Sequence, residues 1–279
     1  MMPVGCHVSI AGGVALAPQR AKELGCETFQ IFTQNQRQWK SMVIDSQTAG
    51  EFRQERKKHG FEQQPVFSHA SYLINMCASD ADNLRRSRTA LIDEIGRCDT
   101  LGVEYLVIHP GSHGGKGEEW GLATIAETLA EVLDKTHPAV IVLLETTAGQ
   151  GTALGYRLEQ LAEIIEQCNA AGKVQVCLDT CHLFAAGYPL HTAEGYRKTM
   201  RDIDAILGWD KVKCLHLNDS LKPFASRKDR HAQLGVGEIG EDVFRSLVKE
   251  IKIPGILEIP GGDEAFKRNL AMLKEFRSA

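Results

Sequence analysis

Five histidines and four carboxylates stand where they can do metal chemistry. His69, His109, Glu145, Asp179, His216 and Glu258 each close one of six successive short apolar runs, and His182, Asp229 and His231 follow just beyond two of those runs. Imidazole nitrogen and carboxylate oxygen are donors that zinc and manganese accept, and no convergent set of cysteines points instead to a thiolate site. Taken singly, a histidine or glutamate at a strand end is more often a hydrogen-bonded loop residue than a ligand. Gathered at one place, four acids and five imidazoles would be a costly concentration of polar and like-charged groups unless cations neutralised it. A zinc ion in an open site takes three or four protein ligands and keeps a position for water, so nine donors predict two or three ions. Cys181, flanked by Asp179 and His182, is expected to point away as packing.

Residues so far apart in sequence meet only on a scaffold that returns to the same rim again and again. The chain alternates short β-branched runs with helix-period segments along almost its whole length. The runs are Val4 to Ile10, Glu27 to Thr33, Pro65 to Ala70, Tyr105 to His109, Val140 to Thr146, Val174 to Thr180, Val212 to Asp219 and Gly255 to Ile259. Between them lie amphipathic stretches such as Leu91, Ile92, Ile95 and Cys98, stopped by Gly102. Eight such units predict a parallel α/β chain closed into a (β/α)8 TIM barrel, as a single domain over residues 1–279. Active sites of such barrels lie at the C-terminal ends of the strands, where the six runs deliver their ligands. An open doubly wound sheet is the rival, but Ala11-Gly12-Gly13 after the first run lacks the GxGxxG phosphate turn. The loops after the second, third and seventh strands exceed what closure needs, and surplus loop length marks function.

The chain has 279 residues, 43% of them hydrophobic, with 32 basic against 36 acidic side chains and a net charge of −4. Such a balance argues against nucleic-acid binding through bulk positive charge. No apolar run is long enough to span a membrane and no leader pattern opens the chain, so a protein without membrane association is expected. Eight scattered cysteines without a CxxC fit a reduced, cytoplasmic setting better than a disulfide framework. Nothing in the pattern argues for an oligomer, so a monomer is expected.

Several segments carry a closer likeness. They are Gly5-Cys6-His7-Val8-Ser9, His109-Pro110-Gly111-Ser112, Glu145-Thr146-Thr147-Ala148-Gly149-Gln150-Gly151, Asp179-Thr180-Cys181-His182, His216-Leu217-Asn218-Asp219 and Asp229-Arg230-His231. Over the whole chain the sequence resembles endonuclease IV (deoxyribonuclease IV), the zinc-dependent apurinic/apyrimidinic endonucleases, within the xylose-isomerase-like barrels. The resemblance implies three zinc ions per chain, with Mn²⁺ admissible at one position. His69 and His109 would hold the first, Asp179, His216 and Glu258 the second, and His182, Asp229 and His231 the third, with Glu145 bridging the first two as the catalytic residue. Two positions depart from the family pattern: Ala70 replaces an acidic residue after the first ligand, and Ile259 replaces a threonine after the last.

The resemblance further implies hydrolysis of the phosphodiester 5′ to abasic sites in duplex DNA during base excision repair, leaving a 3′-hydroxyl and a 5′-deoxyribose phosphate. Water would be activated between the first two ions, and the leaving 3′ oxygen stabilised by the third. Duplex DNA with abasic sites or blocked 3′ ends is the expected partner. Asn35, Arg37, Gln38, Tyr72, Leu73, Asn75 and Arg230 are the expected DNA contacts, because reaching a baseless sugar requires kinking the duplex and filling the gap. Lys40, Arg227 and Lys228 would add phosphate contacts. The charge balance then ceases to be an obstacle: with four acids bound to metal, 32 bases face 32 acids, and three divalent ions add about +6 at the mouth. The alternative is a divalent-metal sugar isomerase or epimerase, which accounts for Glu145, Asp179, His216 and Glu258 but not for the third ligand set or the long loops. A non-catalytic zinc scaffold fails because structural sites are closed. His7 and His113 are expected beside the centre or facing DNA, and His59, His137 and His191 at the surface or at helix ends.

Overall fold

Eight parallel strands close on themselves in the computed structural model, which describes residues 1–39, 43–170 and 172–278. They are β1 (Val4–His7), β2 (Thr28–Phe32), β3 (Val66–His69), β4 (Tyr105–Ile108), β5 (Ile141–Glu145), β6 (Val174–Asp179), β7 (Val212–His216) and β8 (Gly255–Leu257). Neighbours in sequence are neighbours in the barrel, and β8 pairs with β1 to complete it. The helices are α1 (Ala17–Leu24), α2 (Ser46–Lys58), α3 (Ala81–Leu101), α4 (Glu118–Thr136), α5 (Leu158–Cys168), α6 (Thr180–Ala186), α7 (Ala193–Ile206), α8 (Glu241–Glu250) and α9 (Gly262–Ser278). This is the TIM barrel expected from the alternation of apolar runs and amphipathic stretches.

Local signals set the helix ends. Asp45 and Asp80 accept hydrogen bonds from the backbone N–H of Thr48 and Asn83, capping α2 and α3. Gly102 ends α3 in the left-handed conformation that a residue without Cβ adopts cheaply. Along α3, Leu91, Ile95 and Cys98 are buried, as their spacing predicts.

The barrel interior places the chemistry. Side chains alternate across a strand, so positions two apart face the same way. Phe67, Val107, Leu143, Cys177, Cys214 and Ile256 form a fully buried layer inside the barrel. Two residues further along each of these strands stand His69, His109, Glu145, Asp179, His216 and Glu258. Each ligand candidate is thus the next inward position above an apolar one, at the mouth.

Several strands end earlier than their apolar runs. β1 stops at His7 rather than Ile10, and β7 at His216 rather than Asp219. Beyond His216 the chain leaves the barrel, and Asp219–Ser220 pairs antiparallel with His231–Ala232 instead. No helix among the described residues is long and apolar enough to cross a membrane.

Candidate metal centre

Four of the five histidines at the mouth have one ring nitrogen committed to an oxygen that can only accept, which fixes that nitrogen as N–H and aims the other inward. His69 Nδ1 donates to the Ala70 carbonyl (2.8 Å), His182 Nδ1 to the Thr146 carbonyl (2.8 Å) and His231 Nδ1 to the Glu258 carbonyl (2.9 Å). His216 is held the other way round, its Nε2 donating to Gln30 Oε1 at 2.9 Å. At Ala70 it is the backbone carbonyl that orients the preceding histidine. Ile259 is buried.

The inward nitrogens meet carboxylates. Glu145, fully buried, has its two oxygens facing different partners: Oε2 lies 3.1 Å from both His69 Nε2 and His109 Nε2, and Oε1 lies 3.0 Å from His216 Nδ1. Glu258 Oε2 lies 3.1 Å from His216 Nδ1. Asp179 Oδ2 stands between two groups, 3.9 Å from His216 Nδ1 and 3.6 Å from His231 Nε2. Asp229 reaches His182 Nε2 through Oδ2 and His231 Nε2 through Oδ1, both at 3.2 Å. Three clusters result, each with donor atoms within 4.8 Å of one another: His69, His109 and Glu145; Glu145, Asp179, His216 and Glu258; His182, Asp229 and His231. The same spacing also joins Cys177, Cys214 and His216, and Asp179, Cys181 and His231, so these three are the groups, of five among the described residues, that bring the nine predicted residues together, with Glu145 common to the first two.

A short sequence signal explains one part of this arrangement. Asp179 is the N-cap of α6 and accepts from the His182 backbone N–H at 2.8 Å. The Asp-x-x-His spacing therefore puts one donor at the strand end and the next on the first turn of the helix that springs from it.

The charge is unbalanced in a telling way. Burial opposes ionisation of Glu145, yet His216 and His109 hold its carboxyl well below the usual range. Burial likewise opposes the Glu258 charge, and His216 outweighs it. Among the histidines burial favours the neutral ring, but Asp179 pushes His182 well above its ordinary value and, with Asp229, lifts His231 to about 9. Among the described residues no lysine or arginine forms an ion pair with any of the four carboxylates. His231 Nε2 is buried without a well-formed hydrogen bond although two carboxylates lie close. Nitrogen and oxygen lone pairs converging on the same small spaces suit divalent cations, so this donor set fits the expected metal.

The neighbours sort themselves. Cys181 does not point away as expected: its Sγ lies within 4.8 Å of donor atoms of Asp179 and His231. Burial pushes this thiol up to about 12. His7 stands beside the centre, its Nδ1 3.4 Å from Glu258 Oε1. His113 is structural, accepting from the Gly117 N–H at the start of α4. His59 and His137 lie at the ends of α2 and α4, and His191 packs on Phe184 and Phe224.

Of the expected DNA contacts, Asn35, Arg37, Gln38 and Arg230 are exposed, Leu73 is half-buried, and Tyr72 is 59% exposed with its ring centroid 5.3 Å from that of His69. Ser71 Oγ donates to the Gln36 carbonyl and ties the two loops together. Asn75 is engaged within the protein: its Nδ2 donates to the Ser112 carbonyl, and its Oδ1 accepts from the Ser112 and Cys77 N–H groups. Arg227 stacks over the Tyr156 ring at 4.0 Å. Lys40 lies outside the described residues. A cleft of about 390 Å³ beside the clusters is lined by Tyr72, His109, His182, Asp229 and Arg230. A larger hollow of about 670 Å³ between α7 and α8 touches none of the nine donors.

Sequence reading missed two supports. Gln30, inward on β2 and buried, accepts from His216 and donates to Glu258 Oε1 at 2.6 Å. Asn218 donates to Asp179 Oδ2 at 2.6 Å and accepts from the Glu258 N–H. The signal for Gln30 is a lone amide at an inward position of an otherwise apolar strand.

The barrel with donor clusters at its mouth is matched over residues 18–276 by the family described as xylose isomerase-like TIM barrel. A D-tagatose 3-epimerase-like protein shares the fold at a TM-score of 0.75 and 17% identity, covering 99% of this chain and 97% of that one. Much closer are a probable endonuclease 4 of Chloroflexus aurantiacus, 45% identical over 277 residues (97% of this chain, 96% of the relative), and the crystal structure of endonuclease IV from Thermus thermophilus, with a TM-score of 0.88, 35% identity and 99% of both chains covered. The chain belongs to the endonuclease IV family.

Proposed function

We propose that this chain is a zinc-dependent DNA-repair endonuclease that hydrolyses the phosphodiester 5′ to an abasic site in duplex DNA, leaving a 3′-hydroxyl and a 5′-deoxyribose phosphate, and that blocked 3′ ends are further substrates. The observation that carries this reading is the placement of Glu145, whose Oε2 faces His69 and His109 while its Oε1 faces His216 and His182, at the centre of the donor clusters. His69, His109 and Glu145 would hold one ion, Glu145, Asp179, His216 and Glu258 a second, and His182, Asp229 and His231 a third. Zinc held there supplies Lewis acidity toward phosphate and positive charge at the mouth of a net-acidic chain, with Mn²⁺ admissible at one position.

The chain's own residues do the rest. Glu145 fixes the spacing between the first two donor sets. Gln30 keeps His216 in one tautomer and Glu258 in one rotamer. Tyr72, exposed above His69, and Leu73 offer the planar and apolar surface that fills the gap left by a missing base, while the exposed Arg37 and Arg230 would meet phosphates.

The test uses metal-replete protein and an end-labelled duplex carrying one tetrahydrofuran abasic analogue, which cannot undergo β-elimination. A nick that prior chelation abolishes, and that leaves a polymerase-extendable 3′-hydroxyl, is the expected result. An intact duplex with intact metal content overturns the reading and turns attention to aldose–ketose substrates.

A further inference from the structure

Asp219 follows the strand-end ligand His216 by three residues, is fully buried, and is an acid at the barrel mouth, yet it belongs to none of the donor clusters. Its carboxylate is occupied by backbone instead. Oδ1 accepts from Ser220 N (2.7 Å) and Ile239 N (2.9 Å), and Oδ2 from Gly235 N (3.0 Å), Gly237 N (3.1 Å) and Gly240 N (3.4 Å). The donors come from both ends of the long excursion between β7 and α8. We infer that Asp219 is a positioning residue for the third donor cluster: it folds this excursion so that Asp229 and His231 stand against His182. The inference rests on the metal-centre reading above and assigns a role to a residue outside the ligand sets.

The geometry is that of a neck closed around one charge. Asp219–Ser220 pairs with His231–Ala232, Leu221 N donates to the Arg230 carbonyl, and Glu238 N donates to the Ser220 carbonyl. Gly237 passes so close that a Cβ there would lie 2.4 Å from the Ser220 carbonyl oxygen and 2.5 Å from Asp219 Oδ1. Holding a long excursion in one conformation opposes chain entropy, and charge-assisted bonds from several N–H groups to one carboxylate are among the stronger ways to do so. His231 leaves this neck directly, with Asp229 two residues before it. The first two clusters take their donors from the ends of barrel strands, and the excursion touches them only at its edge, where His231 reaches the Glu258 carbonyl and Asp179.

The consequence is selective. Asp219→Asn keeps the shape but turns an NH₂ group toward N–H donors, and Gly237→Ala disturbs the same neck from the other side. Each variant, zinc-loaded and then equilibrated with a competing chelator, is expected to retain two ions where the parent chain retains three. Affinity at the third position should fall about 10- to 100-fold, the range seen when a residue supporting a ligand is lost. On abasic duplex, kcat should fall with KM unchanged and recover as free zinc is raised, which a general loss of structure would not do.

Three ions held at parental affinity in both variants overturn the inference. So does loss of all three together, which would make Asp219 a support of the whole mouth. If Asp219→Asn fails to fold, Gly237→Ala decides the matter alone. A parent chain that binds fewer than three ions overturns the metal-centre reading itself, and that result is visible before any substitution is made.

Discussion

The two ends of this barrel treat charge in opposite ways. At the end where the strands begin, each acid meets its own partner. Glu27 receives both guanidinium nitrogens of Arg277 at 2.8 Å and the Val4 N–H at 3.0 Å. Glu104 takes Arg56 and the Val66 N–H, and Asp99 takes the Val140 N–H. At the mouth, Glu145, Asp179, Asp229 and Glu258 meet imidazoles, with amides from Gln30 and Asn218 on Glu258 and Asp179, and no lysine or arginine among the described residues. Closed charge networks stabilise a fold from within; a set of donors whose lone pairs converge is completed by something from outside. The contrast separates the acids that hold the barrel from those that serve its chemistry.

The strongest way to break this contrast is at its centre. Glu145→Gln removes the charge shared by two clusters while keeping the shape, and nicking of abasic duplex is expected to fall to the background of the assay, with the far-ultraviolet circular dichroism of a folded barrel retained. A metal-loaded variant that nicks at the parental rate would remove Glu145 from the chemistry. Gln30→Leu tests the same end one layer out. It deletes the acceptor for His216 Nε2–H and the donor to Glu258, and zinc affinity at the second cluster should weaken about 10- to 100-fold, as measured by chelator competition. An unchanged affinity would mean that packing alone orients His216.

Much of the mouth is legible in the sequence because the barrel turns a linear pattern into a ring. An apolar residue followed two positions later by a histidine or acid, at the end of six successive strands, is a local signal: Phe67 and His69, Leu143 and Glu145, Cys177 and Asp179. The Asp-x-x-His step into α6 is equally local. What supports these residues is not. Gln30 meets His216 across 186 positions and Glu258 across 228. No periodicity in β2 announces those partners. The orientation of Cys181 toward the cluster edge, and the engagement of Asn75 with Ser112 rather than with solvent, likewise depend on which loops happen to pack together. The strand ends are overextended for a similar reason: Leu217 prolongs the run of β7 and still bonds to Ile256, but Asp219, taken into the same run, pairs with Ala232 outside the barrel.

Tyr72 sharpens the contrast between ligands and substrate contacts. Its ring lies against His69 and His109, both of the first cluster, and Tyr72 is in none of the expected ligand sets, so Tyr72→Ala should leave metal content untouched. Loss of an aromatic surface against nucleic acid costs about 1–3 kcal/mol, which corresponds to roughly 5- to 150-fold weaker binding of abasic duplex. Fluorescence anisotropy with the tetrahydrofuran duplex measures it. Equal affinity in the two proteins would show that the loop after β3 plays no part in recognition.

The smallest effect belongs to the opposite end. Burial raises the Glu27 carboxyl, but the Arg277 guanidinium and the Val4 N–H outweigh it and hold the group below its ordinary 4.5. A folded-state value below the unfolded one adds stability at pH above 4.5, and that stability is lost as the pH falls through the lower folded value. Because the pair is partly open to solvent, Glu27→Gln is expected to cost only about 1 kcal/mol near neutrality, or roughly 2–4 °C in melting temperature. The gap between variant and parent should narrow below pH 4.5 and shrink in high salt. Nicking activity and zinc content should be unchanged. A variant that loses zinc while keeping its melting temperature would erase the distinction between the two ends, because a charge built into the closed network would then be acting on the open one.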